Sequence, residues 1–230
     1  MGDKRRESSQ LMATYDKLRL STAPVEHKSG YLSKRLFRKE QDWILQQLDQ
    51  ISSQAVIVDV GCGYGAMLDP VIGSAEKLIG VELHPVAAQH AHSQGMNVVC
   101  SDAFELPLAT SSVDVIVNSQ FLNQLDAPTS EQLLAEFARV LKPGGTLILT
   151  WRHASSIVHR LAQCALTLTR SRFADFPQYE HPWQDLNEYC ADVGLKHQHC
   201  KVLRLFKTEP VDLSLGRVLG ISCVAVLTRA

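Results

Sequence analysis

The sequence predicts a doubly wound α/β fold: a mostly parallel sheet of seven strands with helices on its two faces. Three observations predict it. Short β-branched runs recur along the chain and alternate with amphipathic stretches, the pattern of successive strand–helix–strand units. The first run, Val56–Val60, enters a turn with glycines at 61, 63 and 65. The 230 residues are 45% hydrophobic with a formal net charge of −1, which suits one sizeable core.

Residues 1–50 are expected to form a helical cap ahead of the domain at 51–230. Residues 1–14 are polar, and 15–23 start an irregular cap that Pro24 interrupts. From Tyr31 to Leu48 the apolar positions Leu32, Leu36, Trp43, Ile44 and Leu48 mark one helix face. Lys34, Arg35, Arg38 and Lys39 make its other side basic. After strand one a short helix is expected near 65–73, aiming free backbone N–H groups over the glycine turn. Residues 78–83 read as strand two, and Pro85 opens a helix that Gly95 ends. Residues 96–102 are strand three, 104–112 a loop or short helix, and 113–120 strand four. Thr129 or Ser130 is expected to cap the next helix, which stops before Pro143 and Gly144. Residues 145–152 are strand five. A long helix at 154–171 and an aromatic, proline-containing segment at 172–183 make 151–183 an insertion, the latter part reading as a lid or as packing against the preceding helix. A helix closed by Gly194 precedes strand six at 195–208, and 218–230 is strand seven.

The glycine turn is the mark of a nucleotide-type cofactor site. Gly61, Gly63 and Ala66 also satisfy the loose dinucleotide fingerprint, so spacing alone does not choose the cofactor. Four segments in order do more: VDVGCGYG at 58–65, GVELHP at 80–85, SDAFELPLATSSVDVIVNSQF at 101–121 and LKPGGTLIL at 141–149. Together they resemble the class I S-adenosylmethionine (SAM)-dependent methyltransferases, in particular their methyltransferase-11-like small-molecule branch. The resemblance implies a sheet closed by an antiparallel last strand, SAM as cofactor, and methyl transfer to a small organic or lipid-like acceptor.

Residue by residue, Asp59, Gly61, Gly63 and Gly65 match the family's cofactor turn. Glu82, ending strand two, can accept hydrogen bonds from both hydroxyls of a ribose. Asp102 matches the acidic residue that meets the adenine amino group, or else caps the turn that follows it. Leu83 and Phe104 wall the base beside Ala103, and Asn118 lies where the family holds the methionine part of the cofactor. Phe121 can wall the transfer cavity, while Asn123 fits either side of it or an exposed loop. Tyr31, Trp151, Arg152 and Tyr179 are candidate acceptor contacts, Arg152 as a clamp for an anion and Trp151 equally as a core residue. His153, following strand five, is the candidate general base ahead of His159 and His181, with an ordinary surface histidine as its alternative. An NAD-dependent oxidoreductase and a SAM-binding protein without catalysis are the competing readings.

Charge is uneven: residues 51–151 carry three Lys/Arg against ten Asp/Glu, whereas 1–50 carry ten against seven and 152–207 eight against five. Basic flanks suit an anionic acceptor with an apolar body, and equally suit solvated helix surface. They do not concentrate into a nucleic-acid groove. The six cysteines form no C-x-x-C pair, and neither HAH at 90–92 nor HQH at 197–199 has partners at metal spacing, so neither disulfides nor a metal are expected. Cys62 fits as a small packing residue or, less readily, a nucleophile. The charged start MGDKRRESSQ lacks an apolar signal region, and no run is long enough to span a membrane, so a cytoplasmic enzyme is expected.

Overall fold

The computed structural model describes residues 34–75, 77–153, 156, 161, 179–204, 210–212 and 220–230. In chain order these form α1 (Lys34–Leu48), β1 (Val56–Val60), β2 (Lys77–Glu82), α2 (Pro85–Ser93), β3 (Asn97–Cys100), β4 (Val113–Ser119), α3 (Ala127–Val140), β5 (Leu141–Arg152), α4 (Trp183–Asp192), β6 (Leu195–Arg204), β7 (Val211–Asp212) and β8 (Gly220–Arg229). The strands make one sheet in the order β3-β2-β1-β4-β5-β8-β6-β7. β1 to β5 run parallel, and β8 is antiparallel to both its neighbours, β5 and β6. Seven strands therefore follow the expected doubly wound plan. The two-residue β7, paired to Lys201 and Val202, adds an eighth at the edge.

Side chains alternate between two cores, as the two-residue period of a strand requires. Ile57, Val115, Val117 and Ile148 pack under α1 and α2 with Phe37, Trp43, Ile44 and Leu48. Val58, Val60, Ile116, Leu147 and Leu149 pack on the opposite face under α3 and α4 with Leu133, Leu134, Phe137 and Leu186. Ile44 is fully buried, which contributes about 1.5–3 kcal/mol relative to exposure.

Three local expectations need correction. No α-helix follows the glycine turn: residues 61–68 are turns, and only Asp69–Val71 coil, as one 3₁₀ turn. Pro70 near its start and Gly73, at a φ of 85°, confine it. α3 starts at Ala127 rather than after Thr129; the cap is Asp126, whose carboxylate accepts from Thr129 N at 2.9 Å while Pro128 occupies the first turn. β5 begins at Leu141, paired to Val113, and Gly144 at a φ of 77° carries the chain through an irregularity before pairing resumes at Thr146. The expected cap at 15–33, the helix at 154–171 and the lid at 172–178 lie outside the described residues, apart from Ser156 and Leu161. Among the described residues no helix is long and apolar enough to cross a membrane.

Candidate functional site

The carboxyl ends of β1, β2 and β4 converge at the glycine turn. Gly61 N and Cys62 N both donate to Val81 O, at 2.8 and 3.2 Å, and Gly65 N donates to Cys62 O at 2.9 Å. Gly61, Gly63 and Gly65 all have positive φ, which an L side chain adopts at a cost. At Gly65 a Cβ would stand 3.0 Å from Ala91 Cβ, so its glycine serves the packing of α2; at Gly63 a Cβ would meet nothing within 4 Å.

Glu82 closes the turn. It is 4% exposed, and its two oxygens accept from Gly63 N at 2.9 Å and His84 N at 2.8 Å. Burial raises its carboxyl above the usual range, and these backbone donors oppose the rise. Asp59, buried on β1, has its carboxyl pushed up to about 7, first by burial and then by the charge of Glu82. Asn118 is buried on β4 and donates from its amide to Val60 O at 2.9 Å. Asp59 Oδ2 and Asn118 Oδ1 are buried without a hydrogen-bond partner among the described residues.

Two physical conclusions follow. The amides of residues 61, 62, 63 and 65 are all engaged within the protein, and no helix N-terminus stands behind them. The wall is instead backed by oxygen acceptors and two carboxyl groups that are themselves buried. Such a wall fits a ligand that brings hydroxyl or ammonium donors, and opposes a diphosphate.

The remaining candidates divide. Asp102 is half-buried, and its Oδ1 caps the following turn by accepting from Phe104 N at 3.0 Å, with Asp102 O accepting from Glu105 N at 3.2 Å. That is the capping alternative, and it leaves the second carboxylate oxygen without a described partner. Ala103 is buried in the α3 core, with Phe104 packed against it, and Leu83 is half-buried beside Glu82. Phe121 stands over the turn: a Cβ on Gly61 would be 3.4 Å from its ring. Cys62 is buried against Gly80, and burial together with the charges of Asp59 and Glu82 pushes its thiol far up, the state of a packing residue rather than a nucleophile.

Trp151 is not an acceptor contact. It is fully buried, stacks on Trp183 at 5.7 Å between ring centroids, and donates from its indole to His181 O at 3.0 Å. It is a core residue because β5 turns it to the inner face with Leu147 and Leu149. Arg152, next along, is half-buried; its backbone N donates to Asn123 Oδ1 at 2.9 Å. Tyr179 is 39% exposed and anchored by its N–H to Asn123 O at 2.8 Å. His153 is buried at the end of β5. His181 is buried with Nε2 2.9 Å from both Leu122 O and Leu125 O, so Nε2 carries its proton there as a donor and is no base. Tyr31 and His159 lie outside the described residues.

A further constellation joins α1 to the ends of β4 and β5. Glu40 on α1 is fully buried and accepts from Gln120 Nε2, Thr150 Oγ1 and Ser222 Oγ. Gln120 sits in the left-handed region at a φ of 55°, and its Oε1 accepts from Asn123 Nδ2 at 2.7 Å. The sequence carries a signal of it: Glu40 occupies the i+4 row Leu36–Glu40–Ile44–Leu48, where every other residue is apolar. Among the described residues no group of three His, Cys, Asp or Glu side chains is arranged to hold a metal ion.

This sheet order and turn are the fold of the class I SAM-dependent methyltransferases. A family described as "Methyltransferase domain" matches residues 58–149. An uncharacterised methyltransferase-like protein of Schizosaccharomyces pombe is 29% identical over 149 residues, 63% of this chain and 56% of that protein. A ubiquinone biosynthesis O-methyltransferase of Nitrosococcus oceani is 27% identical over 154 residues, 62% of this chain and 64% of that protein. The chain spans about half the length of the curated relatives it matches. Among solved structures, magnesium protoporphyrin IX methyltransferase of Synechocystis PCC 6803 with bound S-adenosylhomocysteine superposes with a TM-score of 0.66 at 12% identity, covering 95% of this chain and 94% of that one.

Proposed function

We propose that the protein transfers a methyl group from SAM to a small organic or lipid-like acceptor, leaving S-adenosylhomocysteine. The observation that carries this reading is the acceptor-lined turn: engaged amides at 61–63, Glu82 bridging Gly63 and His84, and bare oxygens on Asp59 and Asn118. SAM brings hydroxyls, an ammonium and a sulfonium, all matched by acceptors or negative charge. NAD brings a diphosphate, which would face two carboxyls without the amides that usually receive it.

On this reading Glu82 holds the ribose hydroxyls and the outer oxygen of Asp102 takes the adenine amino group, with Leu83, Ala103 and Phe104 beside the base. Asp59 and Asn118 accept from the amino-acid end, and Gly63 leaves room at the turn. When bound, SAM supplies an electrophilic methyl on sulfur. The chain's own contribution is to position the acceptor and exclude water, with Phe121 as a wall and His153 as the base for an oxygen acceptor. Arg152 and Tyr179 are the proposed acceptor contacts, suited to an apolar body with an anionic group, and the enzyme is taken to act in the cytoplasm. The N. oceani relative's name, for an O-methyltransferase of ubiquinone biosynthesis, supports a lipid-like acceptor.

Calorimetry with SAM, S-adenosylhomocysteine and NAD tests the cofactor. Labelled-methyl transfer to a panel of phenols, quinols, sterols and carboxylic acids tests the reaction. Binding of NAD with no response to SAM overturns the reading, and SAM binding without transfer to any of the panel favours a binding protein.

A further inference from the structure

The shortness of the segment after the glycine turn has a spatial result. Where a full helix would lie between α1 and α2, the single 3₁₀ turn leaves a cavity of about 370 Å³. That lies within the size range of small-molecule sites. It shares Tyr64 and Gly65 with the glycine turn but is lined by none of Asp59, Glu82, Asp102 or Asn118, so it opens on the α1–α2 side of that turn rather than on the side where those four residues lie.

Its walls have a definite chemistry. Phe37 of α1 and Tyr64 of the turn, 6% and 5% exposed, give it aromatic surface, and the His90 ring packs edge-on to Tyr64 at 5.3 Å. Gln41 ties the α1 wall to the turn by donating to Ala66 O and Met67 O, at 2.9 and 3.1 Å, so the cavity is held open by fixed elements. Both amide protons are thereby engaged, and the Gln41 oxygen remains as an acceptor. An acidic and a basic side chain line the cavity, Arg38 on α1 and Asp69 on the 3₁₀ turn. They are opposite in sign, both exposed, and neither side chain makes a hydrogen bond or ion pair with a described residue.

We propose that this cavity is a second ligand site that takes a small zwitterion with an aromatic body, the chemistry of the aromatic α-amino acids. Arg38 takes the carboxylate, for which its planar fork is suited. Asp69 and the Gln41 oxygen take the ammonium. Phe37 and Tyr64 take the ring. A simple anion would leave Asp69 opposed to it, and a simple amine would leave Arg38 so; the zwitterion satisfies both. The site does not depend on the methyl-transfer reading.

The test is an NMR titration of the ¹⁵N-labelled full chain with phenylalanine, tyrosine and tryptophan, run beside 3-phenylpropionate, which lacks the ammonium, and phenethylamine, which lacks the carboxylate. The expected result is saturable shifts in the amides of 37–41, 64–70 and 90 for at least one amino acid, with each one-charge analogue at least tenfold weaker. Arg38→Ala and Asp69→Asn should each weaken binding at least tenfold while the melting temperature stays near that of the parent. Saturating S-adenosylhomocysteine should leave the amino-acid titration in place. Absence of saturable shifts with all three amino acids overturns the proposal, as does equal binding of the analogues, unchanged binding in a normally folded Arg38→Ala protein, or displacement by S-adenosylhomocysteine.

Discussion

Glu40 and Gln120 lie eighty residues apart in sequence and are joined in the structure by hydrogen bonds of 2.9 and 3.1 Å from one amide nitrogen to both carboxylate oxygens. The pair fastens α1 to the end of β4, and Gln120 passes the connection on to Asn123 and thence to the backbone of Arg152. With Thr150 and Ser222 also donating, the Glu40 carboxylate is satisfied despite full burial. Glu40→Ala strands those donors and is expected to destabilise the fold by on the order of 3 kcal/mol. Glu40→Gln keeps one acceptor and should cost about half as much. Urea denaturation of both variants checks the order; equal stability of Glu40→Ala and the parent would refute the role.

Glu82 is a structural clamp as well as a proposed ribose ligand, so its removal acts twice. Glu82→Gln replaces one acceptor by an amide group facing a backbone N–H and should lower stability by about 1–3 kcal/mol. Its affinity for S-adenosylhomocysteine should fall by at least tenfold. Paired thermal melts and calorimetry measure the two losses; undiminished affinity would remove Glu82 from the cofactor site.

Asp59 sets a pH dependence. Its carboxyl stands at about 7 in the folded protein against an ordinary 3.8, because burial and Glu82 disfavour the charge. The folded state therefore keeps a proton that the unfolded chain releases above pH 4. The associated stability is complete below about pH 4 and falls away as pH rises to 7, by an amount on the order of 4 kcal/mol. Asp59→Asn abolishes this slope: the variant should melt above the parent at pH 8 and converge with it near pH 4. Calorimetric scans at several pH values check this, and parallel curves would show that Asp59 is not the group.

Gly63 and Gly65 should separate folding from binding. Gly65→Ala combines a φ of 82° with a 3.0 Å contact to Ala91 and should destabilise by roughly 2 kcal/mol. Gly63→Ala meets only the backbone strain, about 1 kcal/mol, since space is open around it. Its methyl group should nevertheless weaken cofactor binding more than the Gly65 change does. Melting temperatures and S-adenosylhomocysteine affinities of the two variants decide it.

These residues also show what could be read from the chain itself. The strand into Gly61, the acidic end of β2 and the Asn118 end of β4 were legible because each is local: a β-branched run and the residue that ends it. After Gly65 the residues Ala66, Met67 and Leu68 favour a helix locally, while Pro70 and Gly73 prevail in the fold. Asp126, Thr129 and Ser130 are equally good caps by residue type, and only the position of Pro128 in the first turn singles out Asp126. Trp151 could not be assigned to core or cleft without knowing that Trp183 stacks on it, and the Glu40 cluster joins four distant segments, so no window of sequence contains it.

The place of β8 bears on how the molecule is made. This strand follows β6 and β7 in the chain, yet it lies between β5 and β6 and pairs with β5 from Thr146–Thr228 to Arg152–Ser222. During synthesis the outer rim of β5 is consequently exposed until residues 220–229 emerge, and β6 has nothing to pair with in its final position. A nascent chain interrupted before that point presents a bare, apolar strand rim to other chains. Chaperone dependence and aggregation should therefore be governed by how promptly this one late strand arrives, whatever the stability of the glycine turn and its neighbours.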